Sequence, residues 1–157
     1  MAEPRAFINA IAGAVPPHDV HQLFVDWAEG QVEDPRMRKL FMRMADRSGI
    51  EHRWSVLAPA PGGMPHNHPG GFYHGASPAT SIRMRTYAEA APELALEAIG
   101  KLAEKTDLDG ITHLVVASCT GFVAPGIDQI IARRLGLERV ERTLVGFMGC
   151  YAAVSAL

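Results

Sequence analysis

The chain has 157 residues, of which 48% are hydrophobic and 20% are charged, and its formal net charge is -2 at pH 7. This composition is typical of one globular domain and lacks the broad basic field that binds nucleic acids non-specifically. No stretch approaches the roughly 20 apolar residues of a membrane helix, and the first five residues do not begin a secretory signal. We therefore expect a cytoplasmic protein, with reduced Cys119 and Cys150, whose partners are small molecules or proteins rather than nucleic acid or membrane.

The N-terminal part of the sequence predicts one strand followed by two helices. The apolar run 6–12 suits a short buried strand. Asp19 is a candidate cap for a helix that reaches about Glu29, and Asp34 followed by Pro35 is a strong start signal for a second helix. The second helix also has a basic face, which is formed by Arg36, Arg38, Lys39, Arg43 and Arg47.

The middle of the sequence predicts a loop, a long helix and a strand. Proline and glycine are frequent in 58–78, and the absence of periodicity there predicts a surface loop. Ser77 and Pro78 are expected to begin a long helix, which Pro92 should kink or divide in two. The β-branched run 111–117 predicts a strand that is buried on both faces.

The C-terminal part continues the alternation of strands and helices. A helix over 127–135 is expected to stop at Gly136, and it is followed by a strand over 143–147. The small apolar residues of 151–157 predict the opening of a buried helix. Alternating strands and helices indicate an α/β layered fold. Because the sequence stops inside an apolar run at Leu157, we expect it to be part of a larger fold.

Cys150 is a candidate nucleophile because of the sequence around it. It follows a predicted strand and Gly149, and it precedes a predicted helix. A thiol at a helix N-terminus has a lowered pKa and a larger thiolate fraction. The alternative is a small buried core thiol, the more common fate of an isolated cysteine. Cys119 also follows a predicted strand, and the local sequence does not rank the two thiols.

Two further groups of polar residues have alternative interpretations. His66, His68 and His74 are too weak a pattern to predict a metal site, since histidines in loops are usually solvated. The basic face of the second helix suits a phosphate-rich ligand, although a solvated helix face has the same composition.

At this point the residues resemble a known family, the type III polyketide synthases, also called the chalcone and stilbene synthase family. The resemblance rests on ordered matches with the family's spacing, and bacterial members are more similar than plant members. These matches are Phe41, Arg43, Met44, Ser48, Ile50, Arg53, 111–115, Gly121, 125–126, Asp128, 135–137 and 149–152.

The resemblance implies that 1–157 is the N-terminal domain, one half of a thiolase-like fold with α-β-α layers. It implies that Cys150 takes a starter acyl group from acyl-CoA, and that condensation with malonyl-CoA extends this group. The family needs no cofactor beyond its CoA thioester substrates and forms homodimers. Its catalytic His and Asn belong to a C-terminal domain outside this chain, so we expect this chain alone to be inactive.

The resemblance also assigns binding residues. Cys119 and Thr120 match positions that line the cavity for the starter and the growing chain. Arg43 and Arg47 match positions that contact CoA phosphates, while Leu40 stands where a lysine is usual and Lys39 is expected to compensate. Ala124 replaces a methionine that reaches across the dimer in plant relatives. Two alternatives remain, a ketoacyl synthase that uses an acyl-carrier protein and a non-catalytic CoA- or acyl-binding module.

Overall fold

The computed structural model describes residues 5–157, which divide into two compact units. One unit comprises 15–79, and the other comprises 80–157 together with 5–14. Helices and strands are present in both units, which confirms the predicted α/β class.

The unit formed by 15–79 contains two helices and a short two-stranded sheet. Its elements are β1 (His18–Asp19), α1 (His21–Gln31), α2 (Pro35–Arg47) and β2 (Trp54–Ser55). β1 pairs antiparallel with β2, and α1 packs on α2. The loop predicted over 58–78 is confirmed, since within it the structure has only turns and one isolated bridge between Ala60 and Met64.

Asp19 joins the start of α1 to β2. Its Oδ1 accepts hydrogen bonds from the backbone N–H groups of His21 at 3.0 Å and Arg53 at 3.1 Å. Its Oδ2 lies 2.6 Å from Nδ1 of His52. The hydrogen bond with His52, and then the two backbone hydrogen bonds, lower the pKa of Asp19 from 3.8 to about 2. The predicted cap is therefore one residue too early: the N-cap of α1 is Val20, which makes no side-chain cap hydrogen bond, and Asp19 contacts the helix start from the preceding position.

The predicted start of α2 is confirmed. The Asp34 side chain accepts a hydrogen bond from the backbone N–H of Arg36 at 2.7 Å, and Pro35 is the first helical residue. Proline suits this position because the first N–H groups of a helix have no partner within it. The helix continues to Arg47, so it includes all the cations of the predicted basic face.

The other unit contains three helices and a parallel pair of strands. Its elements are α3 (Thr80–Ala103), β3 (His113–Ser118), α4 (Ile127–Arg134), β4 (Glu141–Gly146) and α5 (Ala152–Ala156). β3 and β4 pair in register from His113 opposite Glu141 to Ser118 opposite Gly146. The chain between two parallel strands must cross over, and α4 makes that crossover. α3 packs on α4, and both α4 and α5 contact the two strands.

Two strand predictions are wrong. Residues 6–12 form no strand, and Phe7 and Ile11 are largely exposed, because no strand among residues 5–157 pairs with this segment. β3 is not buried on both faces, since exposed and half-buried residues alternate along it and Val115 is 44% exposed. The physical reason is that β3 belongs to a two-stranded sheet in this unit, where too little structure is present to cover both faces.

The helix boundaries were predicted with mixed success. α3 begins at Thr80, two residues after Pro78, and Pro92 does not divide it. Pro92 is buried, so its packing in this unit offsets part of the cost of the missing backbone hydrogen bond. The predicted stop of α4 is confirmed, because Gly136 has a φ of 68° just beyond the helix end.

None of the helices within 5–157 combines the length and the apolar character that crossing a bilayer requires.

Candidate functional site

The carboxyl ends of β3 and β4 bring the two cysteine-bearing segments to one edge of the sheet. Ser118 and Gly146 are register partners at the ends of these parallel strands. Cys119 and Thr120 follow β3 directly, and Cys150 lies in the turn that follows β4. Ligand sites of α/β sheets lie beyond the carboxyl ends of the strands. The structure therefore places all three predicted residues at the edge where such a site is expected.

The loop after β3 is held by two consecutive hydrogen bonds. The Ser118 hydroxyl donates to the backbone carbonyl oxygen of Thr120 at 2.6 Å. The Tyr87 hydroxyl lies 2.8 Å from the same Ser118 oxygen. Because the Ser118 proton is used by Thr120, Tyr87 must be the donor to Ser118. A residue of α3 thus fixes the backbone of the segment that carries Cys119 and Thr120.

Gly121 allows the same loop to pack against the ring of Tyr87. Its φ is 80°, a conformation that side-chain-bearing residues rarely adopt. A Cβ atom at this position would overlap ring atoms of Tyr87. Two independent constraints therefore require glycine here, the backbone conformation and the close aromatic contact.

Two phenylalanines link the loop after β3 to the turn after β4. The rings of Phe122 and Phe147 are stacked, with centroids 3.6 Å apart and an interplanar angle of 7°. Phe122 also lies over Gly146, where a Cβ atom would come within 2.8 Å of its ring. Phe147 itself has a φ of 54°, and a non-glycine residue in this region is strained by about 1 kcal/mol or more. The stacking contact favours this strained conformation.

Cys150 is exposed in the turn. The prediction that it begins a helix is wrong. Gly149, with a φ of 76°, precedes it, and α5 begins two residues later with Tyr151 directly before it. α5 has only five residues. The alternative of a buried core thiol is also wrong in this structure, since Cys119 and Cys150 are both free and exposed.

The predicted CoA-binding cations lie in the other unit. Lys39, Arg43 and Arg47 recur every four residues on α2 and are all exposed, so they form one stripe along the helix, which we call the basic stripe. No ion pair involves any of the three within residues 5–157. The structure thus groups the cysteine loops in one unit and the basic stripe in the other.

Sequence reasoning missed the residues that support the cysteine loops. Tyr87, Ser118, Phe122 and Phe147 were not predicted to have a role. Gly121 was a partial signal, because a glycine after a strand often marks a close approach, but it does not identify the approaching ring. No three His, Cys, Asp or Glu side chains of the described chain are grouped as a metal site would require, and this includes His66, His68 and His74.

Comparison with known proteins gives consistent matches over the whole chain. The family "Chalcone and stilbene synthases, N-terminal domain" matches residues 1–157. The 3,5-dihydroxyphenylacetyl-CoA synthase of Amycolatopsis balhimycina is 34% identical, over 80% of this chain and 31% of that protein. The bisdemethoxycurcumin synthase of Oryza sativa subsp. japonica is 32% identical, over 99% of this chain and 40% of that protein. The chain thus spans less than half the length of these relatives.

Solved structures agree with the sequence matches. The type III polyketide synthase domain of Steely1 from Dictyostelium has a TM-score of 0.72 at 25% identity, covering 95% of this chain and 41% of that one. PKS-I from the brown alga Ectocarpus siliculosus has a TM-score of 0.71 at 25% identity, covering 94% of this chain and 41% of that one. These likenesses confirm the predicted fold, one half of the thiolase-like architecture.

Proposed function

This chain belongs to the chalcone and stilbene synthase family as its N-terminal domain, and from that premise we propose that it is the nucleophile-bearing half of a CoA-dependent acyltransferase. The observation that carries the proposal is the position of Cys150, exposed at the carboxyl end of β4 and beside the loop of Cys119 and Thr120. In this proposal Cys150 is the acyl acceptor, and Cys119 and Thr120 line the cavity for the growing chain.

The proposed reaction has two stages that regenerate the thiol. The Cys150 thiolate attacks the carbonyl carbon of a starter acyl-CoA, a sulfur–carbon bond forms, and CoA leaves as its thiol after taking up a proton. Malonyl-CoA then loses CO₂, and the resulting enolate carbon attacks the Cys150 thioester and releases the sulfur. A C-terminal domain supplies the His and Asn that activate the thiol and stabilise the oxyanions. No additional cofactor enters either stage.

The basic stripe is proposed as the binding site for CoA phosphates. Arginine has a planar fork that matches phosphate oxygens, and Lys39 adds a third charge on the same face. The exposure of all three side chains and their lack of ion pairs within 5–157 support this role, because their charges are available to a ligand. The apolar side chains of Leu40 and Met44 on the exposed surface beside them suit the less polar parts of CoA.

The proposal extends to the assembly and the compartment. We place the whole enzyme in the cytoplasm as a homodimer, in keeping with the family resemblance. Ala124 has no side chain beyond Cβ, so the cross-dimer contact that plant relatives make with methionine is altered in this protein.

The choice of acyl donor tests this function against a ketoacyl synthase. The intact protein is incubated with the same acyl group on CoA and on an acyl-carrier protein, and acylation of the protein is followed by mass spectrometry. Acylation from CoA is expected. Acylation only from the carrier protein would contradict the proposal and favour the alternative enzyme.

The basic stripe is tested by replacing Arg43 and Arg47 with alanine together. Loss of two charge-assisted contacts should raise the KM for malonyl-CoA about tenfold or more and leave kcat within about threefold. The matched control replaces Arg83 and Arg85 with alanine together. Both arginines are exposed on α3, so this double variant removes the same charge. An equal KM for both double variants would show that the basic stripe does not bind CoA.

A further inference from the structure

The loop after β3 is held at two points, and the contacts at these points differ in kind. At its start, the Tyr87 hydroxyl bonds the Ser118 hydroxyl at 2.8 Å, and Ser118 bonds the carbonyl oxygen of Thr120 at 2.6 Å. Further along, the ring of Phe122 stacks on that of Phe147. The polar contacts at the start of the loop therefore lead back to one side chain of α3.

Tyr87 can fix this loop because α3 is itself held within its unit. The helix packs on α4 and buries Pro92, and Nη2 of Arg134 on α4 lies 2.9 Å from Oε1 of Glu93 on α3. Tyr87 and Ser118 are both half-buried, so the bond between their hydroxyl groups is partly shielded from water. The two hydrogen bonds thus connect the start of the loop to a helix whose own position is set by packing.

The contacts of Tyr87 act on the backbone of the loop. Thr120 accepts its hydrogen bond through the main-chain carbonyl, and Gly121, with a φ of 80°, packs against the Tyr87 ring. A shift of this backbone would move the side chains of Cys119 and Thr120 with it. If these two side chains line the acyl cavity, as proposed above, Tyr87 sets the position of the cavity wall without touching the substrate.

A cavity wall in one fixed position discriminates between ligands of different size, whereas a wall that can adjust accepts several. In a fixed cavity, a group that is too large overlaps the wall, and one that is too small leaves contacts unmade. We propose that Tyr87 is a positioning residue that determines which size of starter acyl group this site accepts. The inference rests on the proposed function, because it requires Cys119 and Thr120 to line the acyl cavity.

Competition between acyl donors tests this role. The intact protein is incubated with malonyl-CoA and an equimolar mixture of hexanoyl-, decanoyl-, myristoyl- and benzoyl-CoA, and mass spectrometry measures the products of each starter. The parent should prefer one starter. Tyr87→Phe should lower the ratio of the preferred product to the next about fivefold, the effect of one lost hydrogen bond. Partial unfolding lowers the total yield but not this ratio, because every folded molecule meets all four donors.

Two further variants separate the hydrogen bonds from general effects on α3. Ser118→Ala removes the hydroxyl that both bonds share, so the preference should fall at least as far, and adding Tyr87→Phe should have no further effect. Thr86→Val is the matched control. The hydroxyl of Thr86, next to Tyr87, bonds the carbonyl oxygen of Ile82 within α3 at 3.4 Å, so its removal should leave the product ratio unchanged.

The outcomes distinguish this inference from the function on which it rests. No product from any of the four donors would contradict the proposed function, and the role of Tyr87 with it. An active parent without a preferred starter, or an unchanged ratio in Tyr87→Phe and in Ser118→Ala, would overturn the role of Tyr87 alone. An equal loss of preference in Thr86→Val would also overturn it.

Discussion

The loop after β3 and the turn after β4 each carry an exposed cysteine at the same edge of the sheet, but the structure holds them in different ways. The loop after β3 is fixed by the hydrogen bonds from Tyr87 through Ser118 to Thr120 and by the ring of Tyr87 against Gly121. The turn after β4 has one aromatic stack at Phe147 and is otherwise exposed, with Phe147 itself 81% exposed. The loop after β3 is therefore supported by side-chain contacts, whereas the conformation of the segment that carries Cys150 is set mainly by its backbone.

This difference concerns where Cys150 lies, and not how its thiol is activated. Left-handed backbone at Phe147 and Gly149 brings Cys150 to the edge of the sheet. Cys150 itself is a free thiol exposed in the turn, and the helix that follows it, α5, has only five residues. In our proposal the C-terminal domain supplies the groups that activate this thiol. Four predictions test this difference.

The two cysteines should differ most in catalysis. In the intact protein, Cys150→Ala should lower kcat for condensation about a thousandfold or more, because the acyl acceptor is lost. Cys119→Ser should retain turnover and change the product length or the starter preference, which product analysis by mass spectrometry detects. The opposite ranking would assign the nucleophile to Cys119. Full activity in both variants would show that neither cysteine is the acyl acceptor, and no condensation by the parent protein would favour a non-catalytic binding module.

The packing of the loop after β3 against Tyr87 should be visible in the stability of the protein. Gly121→Ala should lower the free energy of unfolding by about 3 kcal/mol, because the left-handed backbone and the overlap with Tyr87 both oppose a side chain. Gly136→Ala is the matched control, since its φ is 68° but nothing lies within 4 Å of an added Cβ atom. It should cost about 1 kcal/mol. If denaturant titrations give equal losses of unfolding free energy for the two variants, the contact with Tyr87 does not contribute to the cost of the substitution at Gly121.

Removing one hydroxyl should loosen only the loop after β3. Tyr87→Phe keeps the ring over Gly121 and removes the donor to Ser118, so it should cost about 1 kcal/mol of stability. The rate of alkylation by iodoacetamide should then rise at Cys119 and stay constant at Cys150. Tyr73→Phe is the control, because its hydroxyl makes no hydrogen bond within the described residues. A change at both cysteines would mean that the two segments are coupled.

The smallest effect concerns pH. The loop after β3 is held by neutral hydroxyl groups, whereas Asp19 holds β1 near β2 with a carboxylate. The pKa of this carboxylate is about 2 in the folded state, below the ordinary 3.8. A depressed folded-state pKa contributes stability above pH 3.8, and this contribution is lost as the pH falls through about 2. Asp19→Asn should therefore be less stable than the parent at pH 7, with the gap closing below pH 3.8. A constant gap would contradict the role of the charge.

Local signals predicted the elements with strong end residues. Asp34 and Pro35 gave the start of α2, and Gly136 gave the end of α4, because these residues act on the backbone next to them. The strand predicted over the apolar run 6–12 is wrong, because a strand requires a pairing partner and the run itself does not specify one. Of the two outcomes predicted for Pro92, division of the helix is wrong, because the packing of this buried proline depends on tertiary contacts that the local sequence does not show.

The common position of the candidate residues could be predicted from the sequence, whereas the contacts that support them could not. Cys119, Thr120 and Cys150 follow strands, and parallel pairing of those strands brings them to one edge. The contact between Tyr87 and Gly121 joins residues far apart in the sequence, so no local pattern contains it. The conformation of Phe147 is equally hidden, because nothing in its neighbouring residues requires a left-handed backbone.

We propose that Cys150, and not Cys119, accepts the acyl group. The most direct measurement is to incubate the intact protein with a starter acyl-CoA, quench it at low pH, digest it and locate the acyl mass by peptide mass spectrometry. We expect the added mass on the peptide that contains Cys150, its persistence in Cys119→Ser and its absence in Cys150→Ala. An acyl group found on Cys119, or labelling that survives in Cys150→Ala, would contradict it.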